Sequence, residues 1–148
     1  MDVDELAAWT ETNKWNVQAW FFVTDLKYLV RGGRVSKAAG FVGNVLNICP
    51  LLNIDEEGKL IPRQKIRGKK KVMEVLVNQM EQFADCGLDY AGKAYIVQSA
   101  CLEDAQKVEA MVKERMPKAE VSIYSIGPTI GSHTGPGTVG LFFWGHRE

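Results

Sequence analysis

The chain has 148 residues, 46% hydrophobic and 24% charged, the composition of one ordinary globular domain. Its eighteen basic and eighteen acidic side chains cancel, so it lacks the global field with which nucleic-acid binders attract a polyanion, and no nucleic-acid partner is expected. No apolar run approaches the ~20 residues that span a bilayer. The acidic start at Asp2, Asp4 and Glu5 does not read as a secretory leader. Cys49, Cys86 and Cys101 lack the C-x-x-C spacing of a redox pair or zinc site, and reduced thiols lead us to expect a cytoplasmic location.

In chain order, residues 2–13 read as a short amphipathic helix. Asp2 and Glu5 are spaced as a capping box, and Leu6, Ala7 and Trp9 form the apolar side. The aromatic and β-branched stretch 19–25 reads as a strand. A helical turn over 26–30 follows, broken by Arg31-Gly32-Gly33-Arg34. Ser36 can cap a helix over 38–46, in which Ala38, Phe41, Val42 and Val45 share a face. Segments 49–54 and 60–66 flank a Gly58-containing turn as a hairpin.

Residues 69–86 show the clearest helical period, with Val72, Val75, Leu76, Met80 and Phe83 inward and Gly87 at the end. A strand over 93–98, a helix over 102–116 stopped by Pro117, and an alternating strand over 120–126 come next. A glycine-rich loop, 127–137, leads into a last strand over 139–144. A hairpin combined with strand–helix–strand connections predicts an α+β domain, with a mixed sheet and helices mainly on one face.

The loop 127–137 is the most unusual stretch. Its glycines and prolines bare the main chain to a ligand. Gly131, Ser132, His133 and Thr134 suit the head group of a carboxylate or phosphate. The plainer reading is a structural loop whose histidine satisfies a carbonyl. The loop lacks the lysine of a phosphate-binding Walker loop. No nucleophile–base–acid set, metal-ligand spacing or cofactor motif is evident, so neither catalysis nor a metal is expected. Arg31 and Arg34 fit either a ligand mouth or partner contact, or a solvated turn. The basic run 63–71, with Arg67, Lys69, Lys70 and Lys71, fits either a partner or anionic surface, or the outer face of a strand. Apolar Phe41, Val42, Val45, Leu46, Ile130 and Phe142 could line an acyl chain or simply pack a core.

Three quoted segments carry a resemblance. DLKYLVRGGRVSKAAGFVGNVLN (25–47), its continuation ICPLLNIDEEGKLIPRQKIRGKKK (48–71), and IGPTIGSHTGPGTVGLFF (126–143) resemble, in order, segments of the second domain of DegV-family proteins. That resemblance implies two α/β domains with a long-chain fatty acid between them. Some members carry the fatty acid to the catalytic subunit of a fatty acid kinase, which makes acyl phosphate. It also implies that His133 helps hold the carboxylate. The first domain, which supplies the remaining ligands, is not covered, so the chain is expected to be part of a longer protein. Three readings stand side by side. One is a fatty-acid carrier that is not itself an enzyme, with a kinase subunit and transiently a membrane surface as partners. Another is the substrate-binding subunit of a dihydroxyacetone-kinase-like enzyme. The third is an interaction module built on the basic run 63–71.

Overall fold

A computed structural model describes residues 1–36 and 47–146. The expected helix over 38–46, with Phe41, Val42, Val45 and Leu46, lies outside the described residues.

The strands are β1 (Val17–Phe22), β2 (Ile48–Ile54), β3 (Leu60–Arg67), β4 (Lys93–Ser99), β5 (Glu120–Ser125) and β6 (Thr138–Trp144). They form one six-stranded sheet in the order β3-β2-β1-β6-β4-β5. Only β4 and β5 run parallel; the other pairs are antiparallel. The helices are α1 (Val3–Asn13), α2 (Lys27–Arg31), α3 (Lys69–Phe83), α4 (Leu102–Arg115) and α5 (Pro128–Thr134). The architecture is therefore the expected α+β arrangement.

Alternation along β1 divides the core. Trp20 and Phe22 join Leu51, Ile96, Leu141 and Phe143 beneath α3 and α4, where Leu76, Met80, Val108 and Val112 are fully buried. Phe21 points the other way, into a smaller cluster with Val23, Leu26, Leu29, Val35 and Leu52. The period of two along a strand serves both faces of the sheet.

The register defines two ends of the sheet. At one end Phe22 faces Val139 and Ser99 faces Thr138; at the other Val17 faces Trp144 and Lys93 faces Glu120. The first end gathers the N-termini of α3 and α4 together with α2 and α5. The second holds the end of α3, where Ala84 bridges Gly145.

Three local expectations change. The strand expected over 19–25 runs from Val17 to Phe22, because pairing with β6 begins at Trp144 and the chain then turns toward α2. The helix expected to reach 86 stops at Phe83, where Ala84 turns extended and Cys86 is left-handed at φ 64°. The loop 127–137 contains α5: Pro128 opens the helix and Gly135, at φ 78°, closes it. In α1 the capping box forms, with Asp2 Oδ1 accepting from Glu5 N at 2.8 Å. None of its residues is buried, however, and Trp9 stacks on Trp144 of the sheet at 5.9 Å.

Candidate functional site

At the α2–α5 end, backbone meets side chain at unusually close range. The segment 24–32 lies along the loop that carries His133. A methyl group built on Gly137 would fall 2.5 Å from Thr24 Oγ1, and one on Gly135 would fall 2.2 Å from the Tyr28 ring. Gly135 and Gly137 also have φ of 78° and 81°, so these positions need glycine both for conformation and for space. Thr24 Oγ1 donates to Pro136 O at 3.2 Å. The ring of His133 lies against Gly32. His133 is half-buried, and its imidazole makes no hydrogen bond among the described residues.

Its neighbours are differently placed. Ser132 is exposed and donates to Thr129 O at 2.8 Å; Thr134 is buried and donates to Ile130 O at 3.1 Å. Both hydroxyl protons are thus committed to the backbone of α5, an arrangement typical of Ser and Thr within helices. Gly131 is half-buried beside Ser99, and Ile130 is 59% exposed on the outer side of α5.

Arg34 Nη1 donates to Gly32 O at 2.6 Å, which folds the Arg-Gly-Gly-Arg turn onto itself. Arg31, exposed at the end of α2, has no ion-pair partner among the described residues. The structure therefore brings Arg31, Arg34 and His133 to the same corner.

Beside this corner opens a cavity of about 430 Å³, lined by Thr24, Asn47, Cys49, Lys69, Cys101 and Gly137 among others. Asn47 and Ala100 on its wall hold left-handed backbones, at φ 68° and 53°. Such strain clusters at ligand-binding sites in general. Burial pushes both the Cys49 and Cys101 thiols up, and Lys69 nearby only partly opposes this. They are protonated at neutral pH and poor nucleophiles. Lys69 Nζ donates to Asp104 Oδ2 at 2.9 Å, and this bond raises the lysine pKa. Sequence reasoning missed this cavity. Its walls come from the ends of β1, β2, β4 and β6 and the start of α3, which no local sequence pattern brings together.

The basic run does not act as one patch. Lys69 is paired with Asp104, and Lys71 Nζ lies 3.3 Å from Glu74. Lys70 and Arg67 have no ion-pair partner among the described residues and are exposed. Phe142 lies at the far end of the sheet from His133. It lines an aromatic groove of about 540 Å³ with Tyr90, Tyr95 and Trp144. No helix among the described residues is long and apolar enough to cross a membrane.

Comparison with known proteins matches the chain to a family. A family model described as "Uncharacterised protein, DegV family" covers residues 1–145. A DegV domain-containing protein of Clostridium perfringens is 36% identical over 146 residues, 99% of this chain and 50% of that protein. A fatty acid-binding protein of Thermotoga maritima is 38% identical over 126 residues, 84% of this chain and 42% of that protein. Among solved structures, the Streptococcus pneumoniae fatty acid kinase B3 protein loaded with linoleic acid shares the fold at a TM-score of 0.85. It is 22% identical, with 99% of this chain and 50% of that one covered. The chain spans about half the length of these relatives. The chain belongs to the DegV family.

Proposed function

We propose that this chain forms the second half of a long-chain fatty-acid carrier, in which His133 takes the carboxylate and apolar surface takes the acyl chain. The observation that carries the reading is the half-buried imidazole of His133. It extends from α5 onto Gly32 at the end of α2 and makes no hydrogen bond among the described residues, in a chain 38% identical over 126 residues to a fatty acid-binding protein. A carboxylate leaving water needs donors to its charged form, and an imidazole on a shaped corner supplies one. Ser132 and Thr134 would have to turn their hydroxyl protons away from α5 to join it, which leaves His133 as the principal ligand from this half. In this reading the remaining donors come from the part of the longer protein outside this chain.

The carrier presents the carboxylate to a separate kinase subunit, and exposed Arg31, Lys70 and Arg67 lie at the same end of the sheet as His133. The chain itself performs no turnover. In a triose-binding enzyme subunit the imidazole would attack a ketone and would need an acid to orient it. No carboxylate hydrogen-bonds His133 among the described residues, so no specific observation favours that reading. Native mass spectrometry of the protein carrying both halves tests the proposal. The expected result is a co-purifying fatty acid, released on denaturation. A protein that stays empty after exposure to oleate would refute it.

A further inference from the structure

Gly32 and Gly33 are neighbours that are glycine for opposite reasons. Gly33 has φ 68° with nothing within 4 Å of a built methyl group: its constraint is conformational. Gly32 has φ −76° and ψ −2°, a backbone open to any L residue. A methyl group there would nonetheless lie 2.3 Å from His133 Nδ1, 3.2 Å from Cε1 and 3.3 Å from Cγ. The three nearest atoms that a side chain at Gly32 would meet all belong to the imidazole.

The peptide at Gly32 is held on both sides. Its N–H donates to Tyr28 O at 2.9 Å, and its carbonyl accepts from Arg34. The contact is also the last of a row. Thr24, Tyr28 and Gly32, at steps of four, meet Gly137, Gly135 and His133 in reverse order. In the first two tiers a side chain from the α2 segment sits on a glycine of the loop. In the third the roles exchange, and the ring from the loop sits on a glycine of α2.

We infer that Gly32 is the seat of the His133 imidazole: a positioning residue that holds the Nδ1 edge against the main chain and turns the Nε2 edge outward to the ligand. The choice of a carboxylate as that ligand rests on the carrier reading; the seat itself rests on the packing. Alanine at Gly32 then displaces the ring while its backbone stays in place.

The experiment needs no lipid, so its failure is distinct from failure of the carrier reading. The chain has two histidines, and His146 sits at the opposite end of the sheet, its ring edge-on to Phe83 at 6.4 Å. Imidazole nitrogen–proton correlation spectra therefore give two separate sets of signals. Gly32→Ala is expected to move the His133 set and leave the His146 set in place. Gly127→Ala, at φ −64° with nothing within 4 Å, is expected to move neither. Unmoved His133 signals in a folded Gly32→Ala protein would overturn the inference. If Gly32→Ala does not fold, adding His133→Ala removes the ring that it strikes. Recovery of the fold then supports the seat, and failure to recover overturns it.

Discussion

The layer of α3 and α4 and the corner of α2 and α5 are built on different principles. The layer is held by apolar area. Val72, Leu76, Val77, Met80, Ala105, Val108 and Val112 lie fully buried against strand residues, and any face of similar size and shape would serve. Among the described residues, the α2 side of the corner buries Leu26, Leu29 and Val35 in the smaller cluster. It is held by close approach of rings and hydroxyls to glycine backbone at Gly32, Gly135 and Gly137. The difference shows how one fold separates its tasks: a tolerant core sets stability, and an intolerant corner sets the position of one imidazole.

Substitutions should therefore separate the two. Leu76→Ala empties a fully buried site and is expected to cost about 2–5 kcal/mol in denaturant unfolding, with the His133 ring signals unchanged in the folded protein. A shift of those signals would mean that layer and corner are coupled. Next in size, Gly135→Ala imposes both a left-handed backbone and a collision with Tyr28. It should cost roughly 2 kcal/mol. Gly33→Ala imposes the backbone alone and should cost about 1 kcal/mol, most of it restored by Asn, which tolerates that conformation. Equal costs at the two positions would contradict the claim that space, and not only conformation, defines the corner.

The Lys69–Asp104 pair borders the cavity beside both regions. Because Asp104 raises the Lys69 pKa, the stability it contributes is fully present below the lysine's unfolded value and is lost as pH rises through the raised folded value. Lys69 is about half exposed, so the effect should stay under ~1 kcal/mol. It should appear as a shallow alkaline decline, absent in Lys69→Met, in unfolding measured from about pH 9 to about pH 12. A decline of the same depth in Lys69→Met would assign it elsewhere. Smallest of all on stability, charge reversal at Arg67 and Lys70 should leave unfolding within ~0.5 kcal/mol. In a kinase-coupled assay of the two-half protein, the same change should slow association in a salt-sensitive manner. Unchanged coupling at low salt would return these residues to an ordinary solvated surface.

The layer was legible in the sequence because its signal is local. Val72, Leu76 and Met80 recur at the helical period whatever lies opposite them, and the aromatic run Trp20-Phe21-Phe22 reads as a strand. The corner was legible only in part. His133 stands out through its glycine-rich surroundings, and the left-handed Gly135 is an ordinary helix stop. Yet α5 itself was hidden, since Gly131 in its middle and glycines at both ends lower helical propensity, and the helix is set by its packing on α2. Nothing in the order of residues pairs Gly32 with His133, because close approach between distant segments leaves no periodic trace. For the same reason Ser132 and Thr134 looked like ligands beside His133, whereas once α5 forms, their hydroxyls turn back to its carbonyls. The acyl-lining reading of Phe142 met a similar limit: its strand position was clear, but not that β6 carries it to the far end of the sheet.

The most direct test of the account is His133→Ala in the protein carrying both halves, with oleate affinity and melting temperature measured side by side. One lost hydrogen bond to a charged group contributes roughly 1.5–3 kcal/mol, so affinity should fall about ten- to a hundred-fold. The acyl chain keeps its apolar contacts, so binding should weaken and not vanish. The melting temperature should stay near that of the unsubstituted protein, because the ring rests on Gly32 without a hydrogen bond to the described residues. Unchanged affinity in a folded protein would contradict the account: His133 would then be a packing residue of the corner, and the carboxylate would be held elsewhere.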